Sequence, residues 1–245
     1  MRIHTFVLGT ALALALFVFG QRKPNETQVT AIRSVVDLTH SVDTRATEDS
    51  PRNRIAKAAL VTPQGTRIEA PSRYARGLWT VDQIPPERLI APLVVIDVRA
   101  KAATNADYEL SVSDVARWEK ANGQIPLGSI VMIHTGWGSR WDSAGTYRNS
   151  DAQGVSHYPG YSADAAKFLV NGRNVLGLGI DTLSVDRGSS RTTPVHDFAL
   201  AHSVYPLENV AALDQVPSSG AMAVVAPIKL DGGAAGPVRI FALLQ

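Results

Sequence analysis

The sequence predicts an α/β protein, a single domain with a mixed central β-sheet and flanking helices. Three observations point there. Leu93–Val98 (LVVIDV), Ser129–Trp137 (SIVMIHTGW) and Val175–Asp181 (VLGLGID) are apolar runs of strand length, as expected for strands buried on both faces. Segments with helix-start and helix-stop residues alternate with them, the pattern of a layered sheet-and-helix domain. A chain of 245 residues, 45% hydrophobic and 19% charged, is long and apolar enough to build one large core.

In chain order, Ile32–Thr39 (IRSVVDLT) reads as the first strand, and the polar, aperiodic stretch Ser41–Asn53 as a loop. After the Leu93–Val98 strand comes a helix that Ser111 caps, with Asp114 three residues on and Gly123 as its stop. The Ser129–Trp137 strand follows, then a second helix over Ser162–Asn171 closed by Gly172. Val175–Asp181 is the next strand, and Met222–Leu230 and Val238–Leu244 supply two more.

The N-terminus carries a separate signal. Arg2 precedes the apolar run Phe6–Gly20, which reads as the hydrophobic region of a secretory signal peptide with Gly20 as its last residue. The predicted organisation is therefore a signal peptide or anchor over 1–20, a polar spacer over 21–31 and the folded domain over 32–245. Export to a periplasmic or secreted location is expected. The alternative is a membrane anchor over residues 6–20, since spans run to about 17–25 residues.

Composition excludes several functions. The formal charge is +2 and no run of Lys or Arg forms a stripe, so no nucleic-acid partner is expected. The absence of cysteine removes disulfides, thiolate metal sites and cysteine nucleophiles together. No G-x-S-x-G elbow, phosphate-binding Gly loop or H-E-x-x-H motif is present.

What remains is Pro63–Arg73 (PQGTRIEAPSR). Positions 63, 67, 69 and 73 share one parity, so an extended strand would put them on one face. They can meet at one point only if the chain curls, and Gly65 and Pro71 are the residues that permit a curl. Arg67 and Arg73 stay protonated and offer only donors, so neither can ligate a cation or accept a proton.

These residues also carry a resemblance. The order of Asp37–His40 (DLTH), Pro63–Arg73, Thr80–Val98, His134–Trp141 (HTGWGSRW), Leu176–Asp186 (LGLGIDTLSVD), Pro194–Phe198 (PVHDF), Tyr205–Val210 (YPLENV) and Gly236–Ile240 (GPVRI) resembles the cyclase family of metal-dependent hydrolases, which includes kynurenine formamidase and isatin hydrolase. The resemblance implies a swivelling β/β/α fold, hydrolysis of an amide, lactone or ester carbonyl in a small-molecule substrate, a divalent metal (zinc or manganese), and a homodimer or homotetramer. The family motif is H-x-G-T-H-x-D-x-P-x-H, with metal ligands at its first two His and its Asp. Here Pro63 and Arg67 stand at those His positions and Glu69 at the Asp position, while Arg73 replaces the third, proton-handling His. His196 and Glu208 match the family's distant ligand pair.

The resemblance thus leaves Glu69, His196 and Glu208 as the metal set, Arg73 as the residue in the catalytic position, and Arg67, Arg73 and Trp137 as ligand contacts. If no metal binds, Arg67 and Arg73 are expected to pair with the carboxylates as built-in cations. The alternative function is then an inactive homologue that holds a small anionic ligand through those arginines. Asp181, at the end of a predicted strand, reads either as a site carboxylate or as one that ties down the loop after it.

Overall fold

The apolar runs become the strands of one sheet that closes on itself. The computed structural model describes residues 31–41 and 65–245. The signal peptide or anchor over 1–20, the spacer up to residue 30, the predicted loop beyond Ser41 and Pro63 lie outside the described residues. Ala31–Gln245 forms one compact unit.

Its strands are β1 (Ser34–Asp37), β2 (Arg67–Glu69), β3 (Ile90–Asp97), β4 (Glu109–Leu110), β5 (Ile130–His134), β6 (Gly160–Tyr161), β7 (Gly177–Ile180), β8 (Tyr205–Glu208), β9 (Ala221–Pro227) and β10 (Ala235–Leu244). The main sheet runs β1-β10-β2-β8-β7-β5-β3-β9, and a further β10–β9 pairing closes it into a barrel-like ring. Neighbours among β3, β5, β7 and β8 are parallel, and the pairings that involve β1, β2, β9 and β10 are antiparallel. The mixed sheet expected from the sequence is therefore present.

Closure explains why the predicted strands read as unbroken apolar runs. Leu93, Val95, Ile130 and Met132 point into the ring beside Leu207, Ala223 and Ile240. Their neighbours Val94, Ile96, Val131 and Ile133 point outward, where they pack with Trp118, Leu169 and Ala199 of the helices. Both faces of each central strand are buried, so no polar alternation is left to see. Gly179 leaves room inside the ring, because a Cβ there would lie 2.6 Å from Met132 Cγ.

The helix Val112–Asn122 starts at a capping box in which Ser111 and Asp114 satisfy each other's backbone N–H groups, and it ends at Gly123 with φ 89°. The second helix departs from expectation at its end. It runs Ala163–Arg173, includes Gly172, and is closed by Asn174 in the left-handed region at φ 51°. The two extra residues bring Arg173 Nε to 2.6 Å from Glu119 Oε1, a contact that links it to the first helix. The helix Pro194–Ala201 and the short strands β2 and β8 are elements that apolar periodicity does not announce.

Candidate functional site

The curl anticipated at Pro63–Arg73 is built by two short elements. Strand β2 holds Arg67 and Glu69 on one face, as their shared parity requires. A 3₁₀ turn over Pro71–Arg73 then reverses the chain, with proline at its start. The turn brings the Arg73 guanidinium back onto Glu69, where Arg73 Nη1 donates to Oε1. Arg67 Nη2 donates to the same oxygen at 2.6 Å.

Two further elements complete the cluster. Strand β8 pairs antiparallel with β2 in a register that sets Glu208 opposite Arg67. Arg67 Nε lies 3.6 Å from Glu208 Oε2, an ion pair across the two strands. The helix Pro194–Ala201 packs over the same end of the sheet and lowers His196 between the carboxylates. His196 Nε2 is 3.0 Å from Glu208 Oε1 and 3.3 Å from Glu69 Oε2. Glu69, His196 and Glu208 are all buried.

The other imidazole nitrogen is fixed. Asp186 Oδ2 lies 2.6 Å from His196 Nδ1. An ionised carboxylate only accepts, so Nδ1 carries the proton and Nε2 is the nitrogen presented to Glu69 and Glu208. Asp186 also accepts from the backbone N–H groups of Val195 at 2.8 Å and His196 at 3.3 Å. It caps that helix from a distant loop, in place of Thr193, whose side chain makes no cap bond.

This geometry suits a small divalent cation. One ligand atom from each of Glu69, His196 and Glu208 lies within 4.8 Å of the others. In a tetrahedral zinc site with bonds of about 2.0–2.1 Å, ligand atoms sit about 3.3 Å apart. The contacts from His196 Nε2 are close to that edge length. Glu69 Oε2 and His196 Nε2 are buried and, despite these short distances, make no well-aligned hydrogen bond among the described residues. Buried polar atoms left unpaired cost stability, and a shared cation is one way to satisfy both. Arg67 and Arg73 use only Glu69 Oε1, so Oε2 remains available. The donor set of two carboxylates and one imidazole thus fits a divalent cation and leaves one position open.

Without a cation the cluster compensates itself. Burial works against the charged form of His196, but Asp186, Glu208 and Glu69 outweigh it and push the imidazolium up to about 11. Burial likewise works against ionised Glu69, yet His196, Arg67 and Arg73 hold its carboxyl below the usual range. Three carboxylates then face two guanidinium groups and one imidazolium, a balanced set. The sequence-based pairing of Arg67 and Arg73 with the carboxylates matches these contacts.

Other expected residues fall elsewhere. Trp137 is a correction: it is 2% exposed, its indole N–H donates to Tyr147 O at 2.7 Å, and the Arg140 guanidinium covers its ring at 3.7 Å. The ring is buried with its N–H satisfied, so it offers no surface for a ligand. Asp181 is a structural carboxylate, but it ties down the loop after β5 and not its own. It accepts from Thr135 N, Thr135 Oγ1 and Gly136 N at 3.0, 2.6 and 2.9 Å. His40 stacks on Trp141 at 3.9 Å, outside the cluster.

Asp186 and Asn209 are supporting residues that sequence reasoning missed. Asn209 follows Glu208 in the left-handed region at φ 54°. Its side-chain amide donates to Gly65 O at 2.9 Å, and its backbone carbonyl accepts from Thr66 Oγ1 at 2.6 Å. It thereby pins the start of the 65–73 curl to the end of β8.

A family model named Cyclase matches residues 36–187. Isatin hydrolase of Roseibium aggregatum is 30% identical over 188 residues, which cover 74% of this chain and 71% of that protein. The chain belongs to the cyclase family. A second cyclase relative, kynurenine formamidase of Salinibacter ruber, is 27% identical over 199 residues, 80% of this chain and 82% of its own. The cyclase fold itself is matched by isatin hydrolase A from Labrenzia aggregata bound to benzyl benzoate, with a TM-score of 0.75 and 30% identity over 86% of this chain and 93% of that one.

Proposed function

We propose that this cyclase is a hydrolase of a small carbonyl compound (an amide, lactone or ester) whose Glu69, His196 and Glu208 hold one divalent cation, zinc or manganese. The observation that carries the reading is the convergence of Glu69 Oε2, His196 Nε2 and Glu208 Oε1, two of them buried without a hydrogen-bond partner among the described residues. A cation bound there supplies Lewis acidity toward a carbonyl oxygen and toward water.

The chain's own residues do the remaining work. Asp186 holds His196 by Nδ1 and keeps Nε2 directed at the site. Arg67 fixes the orientation of Glu69 and faces Glu208 across the strands. Arg73 stands in the catalytic position but cannot act as a base, since a guanidinium has only N–H donors and no free lone pair to accept a proton. It brings instead a fixed positive charge, held by Glu69, to the edge of the cluster.

The charge balance of the cation-free cluster favours a second reading, a catalytically silent cyclase in which Arg67 and Arg73 have taken the place of a metal. Metal content separates the two. The full chain is exposed to zinc or manganese, dialysed and assayed for bound ion and for hydrolysis of formanilides and lactams. Stoichiometric metal with turnover that Glu208→Gln abolishes supports the hydrolase. Absence of both supports the silent form. Residues 1–20 support an exported location, which cell fractionation of the full chain would test.

A further inference from the structure

Arg73 is only partly engaged by the cluster. One of its nitrogens, Nη1, binds Glu69, while Nε and Nη2 have no hydrogen-bond partner among the described residues. Its side chain is 47% exposed, against 20% for Arg67 and 1% for Glu69. The guanidinium is therefore held at one nitrogen by a buried carboxylate while about half of the side chain stays open to solvent. Arg67 shares the same Glu69 oxygen, and its Nη1 likewise has no partner among the described residues.

We propose that Arg73, assisted by Arg67, is a docking point for a carboxylate on the small molecule that enters the Glu69–His196–Glu208 site. A guanidinium edge offers two parallel N–H donors at the spacing of the two oxygens of a carboxylate, a match that a neutral carbonyl cannot reproduce. The clamp by Glu69 fixes the donor before the ligand arrives, so less side-chain freedom is lost on binding. Both arginines reach Glu69 through Oε1, and no carboxylate among the described residues takes their outer donors. The substrate class becomes a carbonyl compound that also carries a carboxylate.

The inference deepens the hydrolase reading, but the binding event it describes stands or falls separately. The test is calorimetric titration of the full chain with phenylacetate and with its neutral counterpart phenylacetamide, before and after chelator treatment. Phenylacetate is expected to bind at least about tenfold tighter in both states, the scale of a charge-assisted hydrogen bond, and less tightly as salt rises. Arg73→Gln is expected to erase that preference, while Arg73→Lys, which keeps the charge and loses the fork, recovers only part of it. The half-exposed position keeps both variants folded, and their melting curves verify this. Equal binding of acid and amide, or acid binding undiminished in Arg73→Gln, would overturn the proposal. Turnover of neutral amides by a protein indifferent to phenylacetate would remove this inference and leave the hydrolase intact. Phenylacetate binding without any turnover would do the reverse.

Discussion

At the scale of single residues, the two arginines differ although they share Glu69. Arg67 is the more buried and touches both Glu69 and Glu208. Its truncation leaves the buried Glu208 Oε2 without its cation. Arg67→Ala is expected to cost about 2–3 kcal/mol, somewhat below the full penalty for breaking a buried pair because Arg73 still serves Glu69. Arg73→Ala, at a half-exposed position, should cost under about 1 kcal/mol. Urea unfolding of both variants checks the order, and an equal or inverted order would contradict it. Asp186 is the second informative residue. Asp186→Asn keeps the size of the side chain but loses the charge that fixes His196 Nδ1. It is expected to lower zinc affinity by about 10–100-fold, measured by competition with a chelating dye. Unchanged affinity would mean that the Asp186–His196 contact serves only the helix.

At the scale of elements, the site depends on a close fit between β6 and the loop that carries Asp186. A Cβ added at Gly160 would collide with the backbone of Val185, Asp186 and Arg187, and backbone has nowhere to retreat. Gly160→Ala should therefore destabilise the fold by roughly 1–3 kcal/mol and weaken metal binding, although Gly160 touches none of the ligands. Paired melting and zinc titrations test this, and a stability loss without a metal effect would separate the loop from the site. The N-terminus of helix Val112–Asn122 supplies a pH signature. Asp114 is buried, and burial alone would raise its carboxyl; Lys101, Tyr108 and Ser111 instead hold it well below the ordinary 3.8. A carboxyl depressed in the folded state adds stability above its unfolded value and loses it as pH falls. Asp114→Asn should flatten the acid limb of the stability curve below pH 3.8 and destabilise the protein at neutral pH, as denaturant titrations across pH would show.

The same elements show what could be read from the sequence. Strand β3 was legible because Leu93–Val98 is apolar on both faces, and the helix Val112–Asn122 because Ser111, Asp114 and Gly123 mark its ends locally. Strands β2 and β8 were not, since three or four residues ending in charged side chains carry no period. The helix Pro194–Ala201 lacks a local cap bond, its cap being Asp186 eight residues before it in the chain. Arg67, Glu69 and Arg73 could be grouped by parity and a bend, but their convergence with His196 and Glu208 is a product of sheet register. Trp137 misled because aromatic residues after a strand look alike in sequence whether they line a cleft or fill a core.

At the scale of the whole molecule, the closed sheet places ends of chain segments more than a hundred residues apart around one cluster. Glu69 and Glu208 sit on adjacent antiparallel strands, and the helix carrying His196 joins them from the layer outside the ring. A cation bound to this arrangement and not to the unfolded chain would stabilise the fold, by about 2.7 kcal/mol at a hundredfold excess over Kd. The most direct measurement is therefore calorimetric titration of zinc into the chelator-treated full chain, beside Glu208→Ala and His196→Ala. One ion per chain, lost in both variants, is the predicted result. No binding by the unaltered chain, or binding that survives both substitutions, would contradict the account.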